Sequence, residues 1–207
     1  MTSSTTTARS PRMPRSERRA QLLEAAQAVF VQSGYHAAAM DEIAERAGVS
    51  KPVLYQHFPG KLDLYLALLD THCETLEQLV RRALEHTDGD NEQRVRATVA
   101  AYFDFVSRED AAFRMVFESD LTSVPQVRAR LDAVELSCAE AISEVIAEDT
   151  GVDDERALLL GSALAGMAQV AARHWLAQDG DIPEGEAARI ISLLAWRGLG
   201  SFPKVGG

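Results

Sequence analysis

The sequence predicts an all-α protein. Apolar residues recur at three- and four-residue spacing through most of the 207 residues, which is the pattern of helices with one buried face. No stretch alternates apolar and polar residues over the length of a useful β-strand, and no internal repeat is present. Clusters rich in Gly, Pro and Asp interrupt the helical pattern, so we expect about nine helices.

These interruptions divide the chain into an arm and two domains. Residues 1–14, "MTSSTTTARSPRMP", have almost nothing to bury and are predicted to be a disordered basic arm. Residues 15–60 contain a first helix, which stops at Gly34, and two short helices in "DEIAERA" and "KPVLYQHF". Residues 61–203 form the larger domain, which opens with a long amphipathic helix from Lys61 to about His86. Later helices are predicted over residues 91–107, 125–148, 153–178 and 190–199.

Composition and motifs exclude several classes of function. Hydrophobic residues make up 46% and charged residues 25% of the chain, as in ordinary globular proteins. The apolar runs are shorter than the roughly 20 residues of a membrane span, and no signal pattern opens the chain, so we expect a cytoplasmic protein without a membrane partner. Cys73 and Cys138 lack the spacing of a zinc site or a disulfide framework. Since GxSxG, P-loop, GxGxxG and HExxH motifs are also absent, we expect no metal, no cofactor and no enzymatic activity.

Charge is divided unevenly along the chain. Residues 1–61 contain eight Lys or Arg and five Asp or Glu, a net charge of +3. The remaining residues contain thirteen and twenty-six, a net charge of −13, and together the two parts give the −10 of the whole chain. Because electrostatic attraction is screened beyond about 8 Å in physiological salt, the acidic second part does not prevent the first from binding an anion.

The two short helices have the features of a helix-turn-helix. Such a pair needs a small residue where the backbones touch and a glycine in the turn, and Ala44 and Gly48 fit these positions. Ser50 is a candidate N-cap for the second helix, which places Pro52 in the first turn, where a missing N–H costs nothing. The alternative is that "AERAGVSK" is only a glycine turn between two helices of an all-α protein.

The outward residues of the second short helix favour DNA binding. Lys51, Tyr55, Gln56 and His57 supply hydrogen-bond donors for phosphate oxygens and base edges. The arginines that precede and open the first helix, including Arg15 and Arg18, suit the DNA backbone or a narrow minor groove. The alternative for this arm is a solvated tail.

The helix-turn-helix segment and the start of the next helix resemble a known protein family. The stretch "MDEIAERAGVSKPVLYQHFPGKLDLYLALL" resembles the TetR family of bacterial transcriptional regulators over about residues 17–69. The resemblance implies a three-helix DNA-binding domain followed by a larger helical ligand-binding and dimerisation domain. It also implies that Lys51, Pro52, Tyr55 and His57 lie on the recognition helix, that Tyr55 and Lys61 contact phosphate, and that the helix from Lys61 joins the domains. Many members have Thr or Ser just before the first helix of the pair, whereas Ala38, Ala39 and Met40 stand there, so we expect that phosphate contact to be missing or to come from backbone N–H groups.

A narrower resemblance concerns the effector. The phrases "FDFV" and "FRMVFESDL" are similar to actinobacterial regulators of fatty acid synthesis within this family, which release DNA when long-chain acyl-CoA binds. The runner-up is a repressor of an efflux or catabolic operon that senses another hydrophobic molecule. Glu118 and Asp120 would suit a cationic ligand if they face the pocket, and the alternative is that they lie on the surface. A helical lipid carrier without DNA binding would not need the basic first domain.

An aromatic and aliphatic cluster is the candidate effector site. Phe103 and Phe105 cannot share one helical face, so more than one side of their helix must be covered. From the residues alone, the cluster is as much core as pocket, and the resemblance favours a pocket for an acyl chain. The candidate ligand-binding residues are Tyr102, Phe103, Phe105, Val106, Phe113, Val116, Phe117 and Leu121.

The last two predicted helices indicate a homodimer. A helix that is apolar on every side must be covered on every side, and one small domain supplies too few partners. A symmetric bundle with a second copy would cover it and would place two recognition helices about 34 Å apart, which predicts a palindromic operator. The candidate interface residues are Gly161, Leu164, Ala168, Trp175, Leu194 and Trp196, although the two tryptophans could equally be core.

Overall fold

The computed structural model describes residues 13–85, 91–108, 121–178 and 181–198. Within these ranges the chain forms eight α-helices and no β-strand, which confirms the predicted fold class, with one helix fewer than the nine expected. The helices are α1 (Arg15–Ala37), α2 (Met40–Arg46), α3 (Lys51–His57), α4 (Lys61–Glu85), α5 (Asn91–Arg108), α6 (Pro125–Thr150), α7 (Asp154–Ala177) and α8 (Glu184–Arg197). Most of the segment "FRMVFESDL" lies outside the described residues.

The chain divides into two compact units, one ending at Leu68 and the other beginning at Leu69, so the division falls inside α4. In the described ranges no helix combines the length and the apolar character that crossing a membrane requires.

The first unit is a small helical domain around the side chains that α1 turns inward. Its fully buried residues include Leu22, Ala26 and Val29 of α1, Ile43 of α2 and Leu54 of α3. At Gly34 the backbone of α1 leaves helical geometry, with φ of 71° and ψ of 165°, which matches the predicted stop. The sharp bend sends the chain into α2.

The turn between α2 and α3 follows the helix-turn-helix pattern. Ala44 is 2% exposed at the contact between the helices, and Gly48 has a φ of 62°, a conformation that favours glycine. Pro52 lies in the first turn of α3, as predicted. Ser50 is the N-cap residue, but its side chain makes no capping bond, and its backbone carbonyl accepts from Val53 and Leu54 instead.

The second unit is a bundle in which α6 packs along α7, and α5 packs against α7 and α8. Gly161 of α7 permits the closest approach, because a Cβ atom there would lie 2.4 Å from the carbonyl oxygen of Ala139 in α6. The centre of the bundle contains Tyr102, Phe103 and Phe105, and Phe103 contacts the ring of Trp175 with 5.6 Å between centroids. Both Phe103 and Phe105 are 1% exposed, so α5 is covered on more than one side, as the sequence predicts.

Candidate functional site

The outer side of α3 presents polar side chains to solvent. Leu54 faces inward and is fully buried, whereas Tyr55 is 47% exposed and Lys51, Pro52 and Gln56 are also exposed. Because α3 is only seven residues long, the buried side chain of Leu54 determines which side of the helix faces solvent. The sequence-predicted donors therefore share an accessible surface.

An open groove joins this surface to the beginning of α1. Arg15 and Arg18 of α1 border the same groove as Gln56 and His57 of α3, so the structure brings together residues predicted separately from the arm and from the second short helix. The full lining is Met13, Arg15, Arg18, Gly48, Val49, Ser50, Val53, Gln56 and His57. Arginine and backbone N–H groups at such a surface are suited to phosphate oxygens.

The positive charge of the groove affects the ionisation of His57. Burial, followed by the positive charges of Arg15, Arg19 and Arg18, lowers the pKa of this imidazole below its usual value. The arginines are close enough to disfavour a further positive charge, and an approaching anion would relieve that repulsion.

Two contacts that sequence reasoning missed hold the groove in shape. Gln21 of α1 donates from Nε2 to the carbonyl oxygen of Ala47 at 3.0 Å and accepts from Arg18 at 2.6 Å, which ties α1 to the turn before α3. The guanidinium of Arg19 lies 4.7 Å from the ring centroid of Phe58, at the other end of α3. The Gln21–Ala47 and Arg19–Phe58 contacts join residues far apart in the sequence, so no local spacing pattern indicates them.

Lys51, at the start of α3, has an acidic partner that the sequence analysis did not single out. Its ammonium lies 2.5 Å from the carboxylate of Asp41 in α2, and both side chains are about 60% exposed. An exposed ion pair of this kind contributes little to stability, so an approaching anion can compete for the lysine.

Lys61 is not among the residues that line the groove. Its ammonium donates to the backbone carbonyl oxygens of Tyr35, His36 and Ala38, at the bend between α1 and α2. The predicted phosphate contact of Lys61 stays a prediction. Residues 1–12 of the predicted arm, which include Arg9 and Arg12, lie outside the described residues.

The second unit contains a separate, largely apolar cleft of about 330 Å³, within the size range of small-molecule sites. The residues around it come from the end of α4, the first half of α5, the second half of α6, α7 and α8. They are Leu84, Asn91, Arg94, Val95, Thr98, Val99, Ile142, Val145, Ile146, Asp149, Thr150, Leu160, Leu164, Ala195 and Trp196.

Polar groups are few in this cleft. Arg94 pairs with Asp149 at 2.6 Å and with the side-chain oxygen of Asn91 at 3.1 Å. The hydroxyl of Thr98, one turn further along α5, is buried and has no hydrogen-bond partner among the described residues, and the same holds for Nε of Arg94. Such unpaired groups are costly in an apolar surrounding and would gain from a ligand acceptor. Arg94 and Thr98 lie on the helix predicted over residues 91–107, but no sequence pattern marks them as a site.

The predicted ligand-binding cluster occupies a different place. Tyr102, Phe103, Phe105, Val106 and Leu121 are each at most 4% exposed, and none of them lines the 330 Å³ cleft. They form core packing in the described structure. Phe113, Val116 and Phe117, together with Glu118 and Asp120, lie outside the described residues.

The predicted interface residues differ in exposure. Gly161 and Ala168 are buried within the chain, because α6 packs on the small side chains of α7. Leu164 and Leu194 are half-buried, and so is Trp175, whose indole N–H donates to the carbonyl oxygen of Ile182 at 2.6 Å. Trp196 is 44% exposed. The apolar side chains that α7 exposes most are instead Leu159, at 71%, and Val170, at 55%.

Comparison with known sequences identifies the first unit and extends across the chain. The family model of bacterial regulatory proteins of the tetR family matches residues 22–68. The HTH-type transcriptional activator FasR of Mycolicibacterium smegmatis is 47% identical over 195 residues, which cover 94% of this chain and 89% of that protein. The similarity therefore includes both compact units.

Comparison with solved structures gives the same fold. The regulator FadR of Bacillus subtilis, in complex with stearoyl-CoA, has a TM-score of 0.73 at 16% identity, covering 87% of this chain and 98% of that one. The fatty acid degradation regulator FadR of Bacillus halodurans has a TM-score of 0.72 at 18% identity, covering 93% and 98%. At such identities the likeness shows the fold alone.

Proposed function

Because this chain belongs to the TetR family of bacterial regulatory proteins, we propose that it controls genes of fatty acid or lipid synthesis and releases its operator when long-chain acyl-CoA binds. Members of the family are DNA-binding regulators that dimerise and respond to small molecules. The proposal concerns the target genes, the effector and the residues that bind DNA and effector.

The observation that carries the DNA-binding part is the groove between α1 and α3. Arg15 and Arg18 provide positive charge beside Gln56 and His57, and the exposed Tyr55 stands on the same short helix. Arginine, tyrosine and Lys51 contacts to phosphate would set the register on DNA, while Gln56 would reach base edges in the major groove. Two copies related by a two-fold axis would read a palindromic operator.

The apolar cleft in the second unit supports a lipid-like effector. Each buried CH2 contributes about 0.8 kcal/mol, so a long acyl chain gains affinity from apolar walls without polar recognition along its length. FadR of Bacillus subtilis holds stearoyl-CoA in the same fold. Among the described residues that line the cleft, Asp149 has the only carboxylate, and it is already paired with Arg94, so these residues offer little to a cationic ligand. That charge balance favours acyl-CoA over the cationic effector of the runner-up interpretation.

The test is operator binding measured by fluorescence anisotropy, with DNA drawn from upstream of fatty acid synthesis genes. The affinity should fall steeply as salt rises, since phosphate contacts release counterions. Palmitoyl-CoA should weaken binding by about 5- to 150-fold, the usual range of allosteric coupling, whereas free CoA should not. If binding weakens with salt but is unaffected by palmitoyl-CoA, the proposed effector is wrong. If the affinity does not depend on salt, the proposed DNA interface is wrong.

A further inference from the structure

We propose that Lys61 is a positioning residue that holds the bend between α1 and α2, and that it does not contact DNA phosphate. The inference rests on the proposed DNA binding only for its effect on affinity. The structural role of the lysine stands on contacts within the first unit.

All three ammonium donors of Lys61 are directed at the protein's own backbone. The distances from Nζ are 2.7 Å to the carbonyl oxygen of Tyr35, 3.1 Å to that of His36 and 2.9 Å to that of Ala38. An ammonium group has three N–H donors and no acceptor, so these bonds use its full capacity. A phosphate oxygen could be reached only by breaking one of them.

The location explains why a cation is needed. After the break at Gly34, the carbonyls that Lys61 contacts belong to the last turn of α1 and to its C-cap. The last carbonyls of a helix have no partner inside it, and a cation stabilises the partial negative charge that they carry. Ala38 is 3% exposed, so water has little access to its carbonyl oxygen and cannot readily replace the ammonium as a donor.

Aromatic side chains also contact this bend. The ammonium of Lys61 lies 4.6 Å from the ring centroid of Tyr35, and that ring meets Tyr65, one turn further along α4, with 5.2 Å between centroids. Phe30 of α1 contacts both rings, at 5.9 Å from Tyr35 and 5.5 Å from Tyr65. The beginning of α4 therefore holds the bend through the ammonium of Lys61 and the aromatic ring of Tyr65.

These contacts matter for DNA binding because α2 begins at Met40, two residues after Ala38. Helix α2 packs against α3, and Asp41 of α2 pairs with Lys51 at the start of α3. The position of α3 therefore depends on the bend that Lys61 holds. Removing the lysine should weaken binding to every DNA sequence although no charged group that touches DNA is removed.

The test compares Lys61→Met with Lys51→Met in the full-length protein. Lys61→Met keeps most of the side-chain stem but leaves the carbonyls without their cation, and should lower the melting temperature by about 5 °C. It should weaken operator binding with no change in the slope of log K against log salt. Lys51→Met should leave the melting temperature nearly unchanged and reduce the magnitude of that slope by about 0.9 for each phosphate that Lys51 neutralises.

Lys61→Gln guards against a variant that fails to fold. Its amide can still donate to two carbonyls, so we expect an intermediate melting temperature and the wild-type salt slope. A lower salt slope in either Lys61 variant, with an unchanged melting temperature, would overturn the proposal and assign a phosphate contact to Lys61. Failure of the wild-type protein to bind DNA would reject the proposed function, while the melting temperatures would still decide the role of the lysine at the bend.

Discussion

His57 shows how a single residue at the end of α3 can report DNA binding. Its pKa is lowered in the free protein by burial first and then by Arg15, Arg19 and Arg18. Phosphate groups near those arginines would compensate their charge and raise the pKa of the imidazole in the complex. The complex would then bind more protons than the free protein between the two pKa values.

The affinity for operator DNA should therefore increase as the pH falls. Above the pKa of the complex the imidazole is neutral in both states, so affinity does not change with pH. Between the two pKa values affinity rises, and below the lowered pKa of the free protein it levels off, with a gain of about tenfold for each unit that separates them. Anisotropy titrations from about pH 7.5 to about pH 5, the range in which histidine titrates, would measure this.

His57→Gln should abolish most of the pH dependence, because it keeps a polar side chain but does not titrate in this range. His174→Gln is the matched control, since His174 is an exposed histidine of α7 in the other unit. Equal pH dependence in wild type and His57→Gln would show that DNA does not change the protonation of His57.

Local residue requirements were predictable, but long-range partners were not. Gly48 and Pro52 have conformational requirements that operate within a few residues, so the sequence indicated the turn and the start of α3. Gln21, Asp41 and Lys61 act through partners that are ten or more positions away. Their side chains are ordinary for a helix surface, and only the fold shows what each one contacts.

At the scale of the elements, the contact between α6 and α7 depends on one of two glycines in α7. A Cβ atom at Gly161 would lie 2.4 Å from the carbonyl oxygen of Ala139 and 3.1 Å from the backbone nitrogen of Ser143. A Cβ atom at Gly166 would meet nothing within 4 Å. The two positions have the same helical backbone but opposite surroundings.

Alanine substitutions at these positions should have effects of opposite sign. Gly161→Ala forces α6 and α7 apart, and we expect the free energy of unfolding to fall by about 1 to 3 kcal/mol. Gly166→Ala should raise it by about 0.5 to 1 kcal/mol, because alanine is the better helix former and the space is open. Urea denaturation of both variants measures the difference. If Gly161→Ala is as stable as Gly166→Ala, the described packing of α6 on α7 is wrong.

The same helices show what periodicity can and cannot establish. The predicted ranges 125–148 and 153–178 agree closely with α6, Pro125–Thr150, and α7, Asp154–Ala177, because Pro, Gly and Asp mark their ends. Small residues in a helix permit a close helix contact, and the structure shows one between Gly161 and α6. They could not indicate the partner, and the structure places Gly161 and Ala168 against the chain itself, whereas the sequence analysis assigned them to a second copy.

For the whole molecule, the proposed regulation requires an effector site in one unit to change DNA binding in the other. The two compact units divide inside α4, so this helix contributes residues to both. An effector can shift DNA affinity only by as much as it prefers one conformation over another. A variant whose side chain fills the effector site should therefore still bind the operator but should lose the response to the effector.

Val95→Trp is the variant that makes this separation. Val95 lines the cleft and is only half-buried, so an indole at this position would occupy space that the proposal assigns to an acyl chain. The concentration of palmitoyl-CoA needed to release the operator should rise at least about tenfold, which corresponds to a decrease of about 1.4 kcal/mol in binding free energy. Ala100→Trp is the control on the same helix, because Ala100 is exposed and does not line the cleft. If Val95→Trp folds, binds operator and still responds to palmitoyl-CoA like the control, the effector does not bind in this cleft.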